Sequence, residues 1–264
     1  MGYNIAKPIQ KREMKDLEKK IDEKVDRQVS LEIFSIDHDG KRYWVKRSRA
    51  TGSGAMHRFG YAILKMSIMA PAARKSRQEA QRFEAEKLER LYECGIAVPK
   101  VVIKKDDYFV MEDRGESLAP ILKHSGAKET DALTGKTVAS LGTLHKKGFY
   151  HGASQIRNFT RHSDGEIYII DFEESFSQNV DIKSLQLRDL FLLLYSLHRQ
   201  RCEIDYKKLI EEYMRFSGNN DFASELRKIY KKLSLPAKLL KNDKIRRMLG
   251  SDAEILHRLF ESIS

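Results

Sequence analysis

Tyr150-His151-Gly152-Ala153-Ser154-Gln155-Ile156-Arg157-Asn158, then an Asp164-Gly165 turn, then Ile167-Tyr168-Ile169-Ile170-Asp171-Phe172-Glu173-Glu174: the reading of this chain turns on that stretch. Apolar, β-type residues flank the Asp-Gly pair on both sides, the pattern of a hairpin. Such a hairpin brings Asn158, in the loop leading into the first strand, and Asp171, at the end of the second, to one edge. An amide oxygen and a carboxylate are hard donors of the kind Mg²⁺ takes, so Asn158 and Asp171 are the candidate metal ligands.

Working outward, the residues before His151 predict a helix over 130–147, with Leu133, Val138, Leu141 and Leu144 facing inward and Gly148 closing it. After Glu174, the run Leu185 to Tyr195 is apolar enough for a buried helix. Upstream, Leu31 to Ile36 and Arg42 to Lys46 read as strands joined by His38-Asp39-Gly40. Ser76 to Cys94 reads as a helix with Ser76 as N-cap and Gly95 as stop. Val101 to Ile103 and Tyr108 to Asp113 complete the strands. Lys11 to Gln28 predicts a charged helix whose stripe of Met14, Leu17, Ile21 and Val25 either docks on the body of the protein or makes a short coiled-coil contact. Later segments, Tyr206 to Phe216, Phe222 to Leu233 and Asp252 to Ile263, read as amphipathic helices without recognisable chemistry.

The layout around His151 resembles the catalytic and metal-binding loops of the protein kinase-like superfamily, where His-Arg/Gly-Asp, four residues and Asn precede a strand ending in Asp-Phe-Gly. Here the motifs read His151-Gly152-Ala153 through Asn158 and Asp171-Phe172-Glu173. The resemblance implies an α+β, two-lobed kinase-like fold: a small antiparallel-sheet lobe with one helix, then a mainly helical lobe. It implies ATP and Mg²⁺ as cofactors. Lys46, in Tyr43-Trp44-Val45-Lys46, is similar to the strand lysine that binds the α and β phosphates. Glu84, in Arg82-Phe83-Glu84-Ala85, stands where the family has that lysine's glutamate partner, with Glu86 as the reserve. Backbone around Met111 to Asp113 would hold adenine, and Asp189 would brace the catalytic loop.

The departures are as informative. Ala153 stands where the family carries its catalytic Asp, Glu173 replaces the Gly after Phe172, and no glycine-rich loop precedes Lys46. In the loop itself, Gln155 is the candidate to orient an acceptor hydroxyl and Arg157 to neutralise developing charge, while Glu173 or Glu174 is a candidate metal ligand or base. Gly95-Ile96-Ala97-Val98-Pro99, His151-Gly152 and Ile170-Asp171-Phe172-Glu173 look most like the bacterial branch of lipopolysaccharide core kinases and Kdo kinases. That branch phosphorylates sugars at the cytoplasmic membrane face. Loss of the usual Asp leaves a second reading open, a pseudokinase acting as a nucleotide-binding regulatory or scaffold protein.

Charge adds a third. The chain has 264 residues and a net charge of +11, from 49 Lys and Arg against 38 Asp and Glu. No acidic residue interrupts the basic ones between Lys41 and Arg77. Such a block attracts phosphate-bearing partners, whether nucleotide, nucleic acid or an anionic membrane face, or it is a solvated surface. Nucleic acid is disfavoured because no RNA- or DNA-binding motif is present. Within the block, Met56 to Ala70 is apolar and flanked by Arg58, Lys65, Arg74, Lys75 and Arg77, which suits either an interfacial helix or internal packing. Cys94 and Cys202 are far apart and form no metal-binding pair. The charged start, Met1 to Lys20, does not read as a secretory signal, and no apolar run is long enough to span a bilayer. The expected location is cytoplasmic, with peripheral attachment to the inner membrane face. The expected organisation is a charged helix over 1–28, a sheet lobe over 29–113 with the insertion at 50–75, and a helical lobe over 114–264. Its acceptor would be a sugar, a lipid-linked molecule or a protein.

Overall fold

The computed structural model describes residues 11–27, 31–47, 75–176, 180–200, 203–222, 224, 225 and 228. Most of the acid-free basic block, all of the Met56 to Ala70 segment and the expected helix at Asp252 to Ile263 lie outside them. The described residues fall into two units, one made of those up to 47 with 75–89 and 100–113, the other of 90–99 and those from 114 onward.

The first unit is built on a four-stranded antiparallel sheet: β1 (Ile33–His38), β2 (Lys41–Arg47), β3 (Val101–Lys104) and β4 (Tyr108–Glu112), in the order β1-β2-β4-β3. Asp39 and Gly40 turn β1 into β2 with φ of 49° and 72°, the left-handed pair that a two-residue hairpin turn demands. Helix α1 (Lys11–Arg27) lays Leu17, Ile21 and Val25 against Phe34, Tyr43, Val45, Ile103, Tyr108 and Val110, all buried. The predicted stripe thus docks on the body of the protein. The charged side of α1 is also tied down, because Asp22 accepts a hydrogen bond from the Tyr108 hydroxyl at 2.6 Å and from Lys105 at 2.9 Å. Burial pushes the Asp22 carboxyl up, but the Tyr108 and Lys105 hydrogen bonds outweigh it and hold the group below its ordinary 3.8.

Because successive side chains of a strand point to opposite faces, Tyr43 and Val45 facing α1 leave Trp44 and Lys46 on the other face. Helix α2 (Arg77–Glu93) supplies its partner there. The helix begins with a capping box: Ser76 Oγ accepts from Glu79 N, and Glu79 Oε2 accepts from Ser76 N at 2.8 Å. Gly95, with φ of 70°, ends it as expected.

In the second unit a small sheet runs β5 (Glu116–Ser117), β6 (Phe159–Arg161), β7 (Ile167–Ile169). Around it lie α3 (Leu118–Leu122), α4 (Ala127–Lys146), α5 (Ile182–His198) and α6 (Tyr206–Ser217). Helix α4 begins at Ala127, ahead of the expected Thr130. Helix α5 starts at Ile182, ahead of the expected Leu185, because the Asp181 carboxylate caps it by accepting from Ser184 N at 3.1 Å. The architecture is α+β, with an N-terminal antiparallel sheet and a mainly helical C-terminal part, in agreement with the expected kinase-like fold. Among the described residues no helix is long and apolar enough to cross a membrane.

Candidate functional site

In the first unit the strand lysine and the helix glutamate meet. Lys46 Nζ lies 2.8 Å from Glu84 Oε1, with the two side chains 16% and 3% exposed. A carboxylate buried to that degree needs its countercharge, and the ammonium in turn is held at one place instead of sweeping through solvent. Glu84 shares its helix face with Ala80, Leu88 and Leu91, spaced three or four residues apart and all buried, whereas the reserve candidate Glu86 is exposed.

Farther along the sheet, Met111 is buried and pairs with Trp44 across the β2–β4 ladder. Asp113 is more committed than its sequence suggests. Its backbone N–H donates to Arg42 O at 3.0 Å, and its Oδ1 accepts the indole N–H of Trp44 at 2.6 Å. The neighbouring Glu112 N–H donates to Lys100 O at 3.0 Å.

In the second unit the loop from Tyr150 to Asn158 is held chiefly from α5. Asp189, fully buried, accepts from His151 N at 2.6 Å and from Gly152 N at 2.8 Å. Its Oδ2 lies 3.3 Å from His145 Nε2, and His145 Nδ1 lies 2.7 Å from the Tyr213 hydroxyl on α6. Burial raises the Asp189 carboxyl, but the His145 contact and the hydrogen bond from the His151 backbone N–H hold it below the usual carboxylate range. Two more residues on α5 share the work. Gln186 donates to His145 O and Phe149 O, and Ser196 Oγ accepts from Ile156 N at 2.8 Å. Gln186, Asp189 and Ser196 are spaced three and seven residues apart, which puts them on one helix face.

His151 is fully buried and stacks on Phe172 at 4.6 Å between ring centres. Its Nδ1 accepts from Ala153 N at 3.1 Å and its Nε2 faces Ile170 O at 2.9 Å. A backbone N–H can only donate and a carbonyl can only accept, so the ring is neutral with its proton on Nε2. The imidazole thereby ties the loop to the strand end that carries Asp171.

That strand end matches the expected hairpin. Ile170 N donates to Asn158 O at 2.9 Å, so Asn158 and Asp171 flank the same rung beyond β6 and β7. Asn158 is buried and its Nδ2 donates to Ala153 O at 2.9 Å, which leaves Oδ1 as the atom for a cation. Asp171 adopts φ of 69°, a left-handed conformation that Asp tolerates better than most side chains. An amide oxygen and a carboxylate so placed fit a hard divalent ion such as Mg²⁺.

Gln155 is half-buried, its N–H donating to Ala153 O at 2.7 Å, while Arg157 is exposed and its carbonyl accepts from Ser117 Oγ. Glu174 is engaged by Arg188 at 3.1 Å, and Arg188 in turn stacks over Phe176. Gly152 has φ of 107°, and a Cβ there would come within 2.8 Å of the Glu174 Cβ. The segment after Asp171 therefore packs directly on the loop. Arg188, Gln186, Ser196 and His145 were not singled out from the sequence; only the helical spacing of Gln186 and Ser196 about Asp189 could have pointed to any of them.

Residues 33–209 match the RIO domain. No curated protein matches the chain. The RIO domain is an atypical protein kinase-like family whose kinases bind ATP with Mg²⁺, and the matched span takes in the Lys46–Glu84 pair, the Tyr150–Asn158 loop and Asp171. The match supports the kinase-like superfamily without singling out the lipopolysaccharide and Kdo kinase branch. This chain therefore belongs to the RIO domain family of atypical kinase-like proteins.

Proposed function

We propose that the chain binds Mg-ATP and transfers its γ-phosphoryl group slowly to a hydroxyl acceptor. The observation that carries this reading is the 2.8 Å pair of Lys46 with buried Glu84, which fixes an ammonium where it can meet phosphate oxygens. In the second unit Asn158 and Asp171 are the residues that would hold Mg²⁺, and the ion when bound neutralises phosphate charge. The loop that presents Asn158 is kept in place by the buried Asp189 carboxylate. Transfer is slow because Ala153 offers no carboxylate to orient the acceptor and take its proton; Gln155 orients the hydroxyl less effectively, and Arg157 neutralises charge from an exposed position.

Release of inorganic phosphate from Mg-ATP, and labelling of the protein itself from γ-labelled ATP, test the reading. Ala153→Asp raises both rates by about 100-fold, the lower end of what a positioned general base contributes. Asp171→Ala abolishes them. Wild-type rates indistinguishable from those of Asp171→Ala, with no gain in Ala153→Asp, would contradict transfer and leave the second reading that Ala153 favours, a nucleotide-binding pseudokinase.

For the acceptor we propose the hydroxyl of a lipid-linked sugar at an anionic membrane face. Support comes from the motif resemblance to sugar-phosphorylating kinases and from the acid-free basic run between Lys41 and Arg77. The protein floats with vesicles of anionic lipid and is released as salt rises; failure to float at low salt contradicts the membrane location.

A further inference from the structure

Trp44 is the only tryptophan in the chain. It stands two residues before Lys46 on β2, on the same face, about 7 Å along the strand. The ring is half-buried, and its N–H is fixed by Asp113 Oδ1 at 2.6 Å. An indole pinned at its nitrogen cannot swing freely, so the ring is held on the sheet face that also carries the lysine.

Three polar groups around it are already spent. Glu112 N–H donates to Lys100 O, Asp113 N–H donates to Arg42 O, and the Asp113 carboxylate takes the indole. These N–H groups and this carboxylate oxygen are therefore not available to read a base, while the ring has a π-face to offer it. A nucleotide whose phosphates meet Lys46 carries its base one sugar away, a separation on the scale of the step from Lys46 to Trp44.

We propose that Trp44 is the stacking wall for the nucleotide's base, locked in place by Asp113, and that the site takes purine nucleoside triphosphates with little distinction between adenine and guanine. This rests on the Mg-ATP reading. Stacking on an aromatic face is tolerant of base identity because every base has a π-face.

Because there is one tryptophan, its emission reports on this position alone. The intact chain is titrated with Mg-ATP, Mg-GTP and inorganic triphosphate, while calorimetry measures binding independently of fluorescence. Mg-ATP and Mg-GTP quench the emission with midpoints within about three-fold of each other, and triphosphate, which has no base, binds without quenching. Trp44→Ala weakens Mg-ATP binding by about 5- to 150-fold, the range expected for one stacked base, and Trp44→Phe by less than about five-fold. Asp113→Ala, which unlocks the ring, falls between them.

Calorimetric Mg-ATP binding with unchanged emission would overturn the stacking role and leave the Mg-ATP reading standing. So would a Trp44→Ala protein that binds as tightly as wild type or more tightly, since the ring would then be a bystander or a plug. A preference for ATP over GTP beyond about 30-fold overturns the tolerance. Absence of binding by both wild type and Trp44→Ala removes the inference together with the function it rests on.

Discussion

Lys46 and Glu84 form a couple whose members are not equivalent. Glu84 is the more deeply buried, so removing the lysine takes a countercharge away from a buried carboxylate, whereas removing both leaves mainly a packing change. Lys46→Met accordingly lowers unfolding free energy by about 3 kcal/mol in urea, and the double variant Lys46→Met, Glu84→Leu recovers most of the loss. Equal destabilisation by the single and double variants would show that the pair makes no net electrostatic contribution. Gly152 is the other position where one atom matters. At φ of 107°, with the Glu174 Cβ in the way, Gly152→Ala costs at least about 1 kcal/mol, read as a drop in melting temperature. At this scale the sequence was legible where a residue sat in a recognisable local pattern, as with the pairing of Lys46 with Glu84 and the hairpin that carries Asn158 and Asp171. It was silent on Trp44 with Asp113, partners separated by 69 positions, and on Arg188 with Glu174, because side-chain pairing across a fold leaves no periodic trace.

Among the elements, α1 is the clearest instance of a sequence pattern turned into packing. Its narrow apolar stripe spaced Leu17, Ile21 and Val25 four residues apart, and each is buried on the sheet face away from Lys46. Leu17→Ala or Ile21→Ala costs about 2–5 kcal/mol, measured by denaturant unfolding; a loss below about 0.5 kcal/mol would mean that the helix is not docked in solution. The Asp22 contacts make that docking pH-dependent. Its folded pKa lies below its ordinary 3.8, so the stabilisation is fully present above that value and is lost as pH falls through the lower folded pKa. Wild type therefore exceeds Asp22→Asn in stability by roughly 1 kcal/mol at neutral pH, and the difference closes on acidification. A gap that persists into strong acid would contradict this origin. Helix and strand identities were readable because period and capping residues agree along short stretches. The two-residue strand β5 and the short α3 were not, since elements of that length contain too few residues to display a period.

For the whole molecule, the kinase-like architecture was legible because several short motifs occur in the family's order, and the RIO domain match spans them. The branch within that superfamily was not, because fold and motif order are shared among proteins with different acceptors. The proposed function stands on Lys46 binding the phosphates of a metal-bound nucleotide. Calorimetric titration of the intact protein with ATP, with and without Mg²⁺, beside Lys46→Met and Asp171→Ala, tests it most directly. The expected result is saturable binding by wild type that weakens at least about ten-fold in either variant, with loss of the Mg²⁺ dependence in Asp171→Ala. No binding by the folded wild-type protein, or undiminished binding by Lys46→Met, would contradict it.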